Sequence, residues 1–372
     1  MNSLRVGVLG ATGMVGQQII HRLQAHPWFC VTALAASERS AGKCYAEATS
    51  WHISEPLPLK IGVLPVQSLD DDLDCDFVFS ALDSSVAGAA EKDFARRGYP
   101  VISNSSNHRM EPDVPLIVPE VNPDHIALVE TQRARRGYKS GFIVTNPNCS
   151  AAGLVIALKP IDDAFGVEAV SVVTMQALSG AGYPGVASLD VTDNVIPFIS
   201  AEEEKLESEP LKILGGLRGD SIAPAEFRVS AQCHRVPVSH GHLEAVSIKL
   251  RTKASPDDVA AALREFRGEP QRLELPSAPA HPIEVREERD RPQPRLDRDA
   301  GGGMAVVVGR IRRCPLFDIR FVLLSHNLVR GAAGAAILNA EFLACAGAIV
   351  PHGTGAQLND NVENLGAAQA HI

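Results

Sequence analysis

Two rhythms of apolar and polar positions run along this chain of 372 residues. In the first, short unbroken apolar runs alternate with stretches of helical spacing. Residues 4–9 (LRVGVL) make a valine-rich run that predicts a strand buried on both faces. Residues 15–23 carry apolar positions at helical spacing, and 31–36 and 76–80 read as further strands. The spacing predicts a helix over 86–97 that stops at Gly98, because glycine tolerates the backbone turn that ends a helix. Runs at 101–103 and 116–118, each beside Pro or Asn, predict two more short strands. Strands alternating with helices call for right-handed crossovers and a doubly wound parallel α/β sheet covered on both faces.

After about residue 150 the rhythm changes. Residues 151–160 predict a helix and 169–176 (AVSVVTMQ) a strand, while 243–250 (LEAVSIKL) alternates at its centre as a half-buried strand does. Ser255 stands as N-cap of a helix over 256–266, with two Asp residues where they meet the positive end of the helix dipole. Residues 304–310 and 317–324 add strands. Long strands with few helices between them predict a second, α+β domain with a mostly antiparallel sheet. Residues 328–348, rich in Ala and Leu, predict a helix of several turns. Residues 275–303, rich in Pro, Arg and Asp, read by composition as an extended loop, and the polar stretch from His352 is expected to fray.

Composition narrows the class. With 45% hydrophobic and 21% charged residues the chain is an ordinary soluble globular protein, long enough for two domains. A net charge of -9 argues against nucleic acid or an anionic membrane as the main partner, since phosphate surfaces demand a basic face. Seven cysteines, odd in number and without CxxC spacing, suggest neither a disulfide framework nor a metal site, and point to a reducing compartment. The first residues lack the basic-then-apolar pattern of a signal peptide, and no apolar run reaches membrane-spanning length. The cytoplasm is the expected location.

Three stretches carry candidate chemistry. Gly10-Ala11-Thr12-Gly13-Met14-Val15-Gly16 lies between a predicted strand and a predicted helix, where glycine lets the backbone approach a pyrophosphate and the helix start supplies N–H donors. About 20 residues on, Ser37-Glu38-Arg39-Ser40 and Lys43 offer groups for a 2′-phosphate, which favours NADP. Glu38 leaves NAD open. Asn146-Pro147-Asn148-Cys149-Ser150 sets a cysteine directly before a helix, where the dipole and free N–H groups lower a thiol pKa. Arg235 to His242 (RVPVSHGH) holds two histidines, and spacing alone does not choose between His240 and His242 as partner to the thiol.

Together these stretches resemble the aspartate-semialdehyde dehydrogenase family, its archaeal and fungal branch above all. The resemblance runs over nearly the whole chain: GATGMVGQ at 10–17, SALDSSVA at 80–87, SNSSNHRMEPDVPLIVPEVNPDH at 103–125, NPNCS at 146–150, QALSGAGYPG at 176–185, EEEK at 202–205, RVPVSHGH at 235–242, PQPRLDRDAGGGMAVVVGR at 292–310 and NLVRGAAGAAILNAE at 327–341. It implies a Rossmann-type NADP-binding domain over 1–148, completed by a helix at about 327–350, and a catalytic and dimerisation domain over 149–326. It also implies a homodimer or homotetramer that reduces β-aspartyl phosphate to aspartate semialdehyde, with release of phosphate, in the biosynthesis of lysine, threonine, methionine and isoleucine.

Carried over position by position, the resemblance makes Cys149 the nucleophile, His242 the acid/base and Gln176 a neighbour of the nucleophile. Arg235 would bind the substrate carboxylate, Glu202 its ammonium, and Lys205 and Arg109 its phosphate. Gly10, Ala11, Thr12, Gly13, Met14, Val15, Ser37, Arg39, Ser40, Ser80, Ser179, Gly180, Gly182 and Asn327 would line the cofactor. Glu202 and Lys205 lie one helical turn apart, so an exposed ion pair would explain them without function. Two rival activities share the fold: a malonyl-CoA reductase with the same nucleophile, and a non-catalytic dimerising paralogue. An N-acetyl-glutamyl-phosphate reductase would carry a different cysteine motif and glycine turn.

Overall fold

A computed structural model describes residues 3–351. The first sheet holds six strands: β1 (Leu4–Leu9), β2 (Phe29–Ala35), β3 (Val66–Gln67), β4 (Phe77–Ser80), β5 (Pro100–Ser103) and β6 (Phe142–Thr145). Their order is β3-β2-β1-β4-β5-β6 and every pairing is parallel. The order reverses between β1 and β4, which opens a crevice at the carboxyl ends of the central strands. The Met14–Arg22 helix starts at that crevice, and its N-cap Gly13 has no side chain to occupy the first N–H groups. Gly10 turns the chain at a φ of 74°, and a Cβ there would meet the Ala81 carbonyl oxygen at 2.5 Å. No other residue fits that turn.

The second sheet is mixed. It contains β7 (Val167–Gln176), β10 (Arg228–Arg235), β11 (His242–Leu250), β12 (Ile283–Val285), β13 (Val306–Arg313) and β14 (Ile319–Ser325), while β8 (Gly216–Arg218) and β9 (Ser221–Ala223) form a separate hairpin. The order is β10-β7-β11-β14-β13-β12, with antiparallel pairing between all the central strands and parallel pairing at the two edges. On β11 every second residue from His242 to Leu250 is buried, under the helices that cover this face. The other face presents Val173, Met175, Ala245 and Val322 at best half-buried.

Several expectations shift in detail. Residues 116–118 form no strand: Leu116 makes one isolated bridge to Thr145, because Pro115 lacks an N–H and the chain turns at Val118, whose carbonyl takes the Val121 amide. The helix expected to end at Pro160 runs through it, as Cys149–Phe165, and stops at Gly166. The expected helix at 328–348 is a π-helical turn, Val329–Ala333, followed by an α-helix, Gly334–Cys345. Residues 275–303 are ordered despite their composition: the buried Asp297 accepts from Arg291, Arg286 and the Gln293 amide, and the segment contributes β12. Ser255 caps the Pro256–Glu265 helix as expected, its hydroxyl accepting from the Asp258 amide. The tail from His352 lies outside the described residues.

Apolar side chains of the Gly334–Cys345 helix, Ile337, Leu338, Phe342 and Leu343, lie in the core beside Val6, Val8, Phe77 and Ile102 of the first sheet. The last described helix therefore completes the layer built by the first residues. Among the described residues no helix is long and apolar enough to cross a membrane.

Candidate active site

Asn148 starts the Cys149–Phe165 helix. Its side-chain oxygen accepts from the Ser150 and Ala151 amides, at 3.0 and 3.3 Å, while its side-chain nitrogen donates to Glu202 at 2.8 Å. Cys149 is thereby the first residue of the helix, and it keeps some accessible surface although protein atoms crowd round it. Gly331, in the π-helical turn, lies so close that a Cβ there would sit 2.6 Å from the Cβ of Cys149. A π-turn packed on a reactive side chain is a common functional placement.

The Cys149 sulfur is 3.2 Å from Nε2 of His242, the first residue of β11. Nδ1 of that ring accepts from the Ala177 amide at 3.0 Å. The geometry thus resolves the choice left open by spacing, since His240 faces away and stacks on His326 with ring centroids 5.7 Å apart. Arg235, buried at the end of β10, donates from Nη1 to the Ala177 carbonyl at 2.7 Å. A Cβ on Gly180 would meet that same Nη1 at 2.8 Å and the His242 ring at 3.0 Å. Gly180 therefore roofs the pair, and only a glycine leaves it undisturbed.

The Glu202–Ile213 helix presents one polar stripe to this cleft. Glu202 accepts from Lys205 at 3.0 Å, from Gln176 at 3.2 Å and from Asn148. Burial alone would raise the Glu202 carboxyl, but Lys205 and its hydrogen bonds to Asn148 and Gln176 outweigh that and leave it below the usual range. Two turns on from Glu202, Glu209 accepts from Nη1 of Arg109 at 2.9 Å and from the Asn148 amide at 2.5 Å. Lys212 donates to the carbonyls of Arg109, Glu111 and Val114, which ties down the loop that carries Arg109. Positions 202, 205, 209 and 212 follow helical spacing, but the sequence marks only Glu202 and Lys205, because the partners of Glu209 and Lys212 lie on distant segments.

The thiol departs from expectation. Burial pushes Cys149 up to about 12, Glu202 pushes the same way, and Arg109 and Arg235 pull it down without prevailing. Burial, with Arg235 beside the ring, pushes His242 down to about 3. The site at rest is a thiol beside a neutral imidazole. Beneath it lies Glu244, wholly buried on the same face of β11 as His242, with no partner for either oxygen among the described residues.

The remaining expected residues lie around the crevice of the first sheet. Gly10 to Val15 form its turn and helix start, and Ser80 ends β4. The open side of Gly13, where a Cβ would meet only the Gly10 carbonyl at 3.5 Å, leaves room for a pyrophosphate. Ser37, Glu38 and Arg39 are exposed in the turn after β2, with Ser40 half-buried. Asn327 joins two loops, accepting from the Gly241 amide and donating to the hydroxyl of Ser179, both at 2.9 Å. Gly182 turns the chain after Ser179 at a φ of 71° with open space around it. A dinucleotide fits this set of groups. Among the described residues no group of His, Cys, Asp and Glu is arranged to hold a metal ion.

Comparison with known proteins extends the picture. Residues 5–129 match the model for the semialdehyde dehydrogenase NAD binding domain, and 158–330 match that for the semialdehyde dehydrogenase dimerisation domain. The chain is 54% identical over 344 residues to an aspartate-semialdehyde dehydrogenase of Methanothermobacter thermautotrophicus, covering 91% of this chain and 99% of that one. It is 50% identical over 346 residues to that of Schizosaccharomyces pombe, covering 91% and 97%. Among solved structures, aspartate-semialdehyde dehydrogenase with NADP from Candida albicans superposes with a TM-score of 0.85 at 47% identity, over 92% of this chain and 99% of that one. Aspartate-semialdehyde dehydrogenase II of Vibrio cholerae, complexed with ASA, gives 0.74 at 29% identity, over 93% and 99%.

Proposed function

The chain belongs to the aspartate-semialdehyde dehydrogenase family, and on that premise we propose that it reduces β-aspartyl phosphate to aspartate semialdehyde through a thioester on Cys149. The glycine turn at Gly10–Val15, the Ser37–Ser40 turn and the Ser179–Gly182 loop would hold NADPH, which when bound would supply the hydride. The observation that carries this reading is the contact of 3.2 Å between Cys149 and His242, set within reach of Arg235.

Each residue has a place in the sequence of steps. Arg235 holds the substrate carboxylate through its planar guanidinium, and Glu202, ionised beside Gln176 and Asn148, receives the ammonium. Lys205 and Arg109 bear the phosphate. Cys149 attacks the acyl carbon and His242 is its acid/base partner. An ionised acid next to the sulfur suits an amino-acid substrate and speaks against a malonyl-CoA reductase, whose substrate has no ammonium to receive. An intact nucleophile–histidine contact speaks against a non-catalytic paralogue.

The half-exposed face of the second sheet, with Val173, Met175, Ala245 and Val322, is the surface we assign to contact with a second copy. A cytoplasmic location suits the seven cysteines, none of them in a disulfide. The test of the activity is an assay of the purified protein with phosphate and aspartate semialdehyde, offered NADP or NAD. Reduction of NADP in preference to NAD is expected, and Cys149→Ala is expected to abolish it. Turnover by Cys149→Ala would refute the assignment.

A further inference from the structure

Two sets of contacts hold the loop that carries Arg109. Lys212 takes its carbonyls, and a second set starts at His108, whose ring is buried. Arg109 donates from Nη2 to the Asn104 carbonyl at 2.7 Å, and the Asn104 amide donates to the Ser80 carbonyl at 3.0 Å, so the loop closes on the end of β4. Against the His108 ring lies Glu91 of the Ser84–Arg96 helix, with no exposed surface. One Glu91 oxygen accepts from the Ser103 hydroxyl at 2.7 Å, and that hydroxyl oxygen in turn takes the Ser105 amide. The other, Oε2, faces Nε2 of His108 at 3.6 Å, and neither atom has a hydrogen-bond partner among the described residues. Neither residue has a part in the steps proposed above.

The protons on this contact can be counted. Nδ1 of His108 is 3.0 Å from Oε1 of Glu111. Burial alone would raise the Glu111 carboxyl, but hydrogen bonds from Arg136 and His108 outweigh it and hold it down at about 2. An ionised carboxylate only accepts, so Nδ1 carries a proton. One further proton then lies between Glu91 and Nε2. With none, two lone pairs face each other away from water; with two, the protons collide. Two arrangements satisfy that count: a carboxylate with an imidazolium, or an un-ionised acid with a neutral imidazole. The separation of 3.6 Å favours the second, because charge-assisted N–H···O bonds close to about 2.7–2.9 Å. Burial favours it too, raising the Glu91 carboxyl against the pull of Ser80, Ser103, His108 and Arg109.

We propose that Glu91 is a positioning residue for the phosphate site, an un-ionised acid that joins Ser103 to His108 and so fixes the backbone of the next residue, Arg109. This rests on the phosphate role given to Arg109 above. Neutrality matters as much as the contact. Arg109 already faces one buried carboxylate, Glu209, at 2.9 Å. A second anion at position 91 would compete with phosphate for the same positive charge. An acid that keeps its proton holds the loop without competing. The remaining cations near the ring, Lys92 and Arg136, are taken up by Glu111 and Asp113.

The test compares Glu91→Gln, which keeps a donor and an acceptor in the same shape, with Glu91→Met, which keeps only the length. The purified full chain is assayed with NADP, aspartate semialdehyde and inorganic phosphate, and its Kd for phosphate is measured separately from the broadening of the phosphorus NMR line. Glu91→Met is expected to raise both KM and Kd for phosphate about tenfold. Its KM for aspartate semialdehyde is expected to stay put, since Arg235 and Glu202 hold that substrate. Glu91→Gln is expected to match the parent. An unaltered phosphate Kd in Glu91→Met overturns the proposal, as does an equal rise in both KM values, which marks a merely structural role. Equal loss in the two variants also overturns it, because the carboxylate itself would then be needed. If Glu91→Met does not fold, the infrared difference between the parent and Glu91→Gln at neutral pH decides. The C=O stretch of an un-ionised carboxyl is expected, and a carboxylate band overturns the proposal. A parent that binds phosphate but does not reduce NADP would instead undo the assigned function, leaving the phosphate Kd values to judge Glu91. A parent with no affinity for phosphate overturns both.

Discussion

Arg109 and Glu209 form a buried ion pair, Nη1 to Oε1 at 2.9 Å, and the second oxygen of Glu209 takes the amide of Asn148 at 2.5 Å. The residue before the nucleophile is thus held by a charge whose own counterion lies on a different segment. Breaking a buried pair from one side leaves a charge uncompensated, at a cost of about 3–5 kcal/mol. Glu209→Gln is expected to lower the melting temperature by differential scanning fluorimetry and to lower kcat, as Asn148 loosens. An unchanged melting curve would show that the pair contributes nothing.

A methyl group at position 180 has nowhere to go. Because Nη1 of Arg235 is tied to Ala177, it has limited freedom to retreat from a Cβ that would sit 2.8 Å away. Gly180→Ala is expected to raise KM for aspartate semialdehyde by about tenfold, equivalent to about 1.4 kcal/mol of lost binding. Steady-state kinetics measure this directly, and an unaltered KM would contradict the placement of the substrate beneath Gly180.

Arg235→Lys keeps the charge but gives up the planar fork. Hydrogen bonds to charged groups contribute about 1.5–3 kcal/mol, so KM is expected to rise by about one to two orders of magnitude. Substrate titrations that show no change would place the carboxylate elsewhere.

Burial raises the Glu244 carboxyl well above its ordinary value. A carboxyl that binds its proton more tightly when folded stabilises fully below its unfolded value, and that contribution drains away as pH climbs toward the folded one. At neutral and alkaline pH the residue is therefore a burden. Glu244→Gln is expected to melt higher than the parent at about pH 8, by about 2–4 °C for each kcal/mol relieved, with the gap narrowing toward about pH 5. Thermal melts at the two pH values settle the matter, and a gap that widens toward acid would show the carboxyl to be ionised and supported.

What could be read from the chain beforehand follows from how each residue acts. Four of the six strands of the parallel sheet announced themselves because burial on both faces demands unbroken apolar runs, as in β1 and β4, whereas the two-residue β3 is too short to leave a pattern and β6 went unread. β10 did not announce itself either, since RVSAQCHR has weak alternation and earns its place by eight residues of parallel pairing with β7. Glu209 and Lys212 sat on a charged helix that resembles a solvated one until its partners are known. Ala177 left no trace, because it acts through backbone atoms that every residue has. The thiol was misjudged for a different reason: a helix start favours the anion, but burial and the nearby Glu202 outweigh it.

The return of the Gly334–Cys345 helix to the first sheet has a consequence for synthesis. The ribosome makes that sheet first, yet Ile337 and Phe342, which seal its apolar layer, are added only some 190 residues after Thr145 ends β6. At about 5–20 residues per second the wait lasts on the order of ten seconds or more. During it the earliest-made half carries an open apolar seam, so a stalled or truncated chain is a candidate for chaperone capture rather than a working half-enzyme.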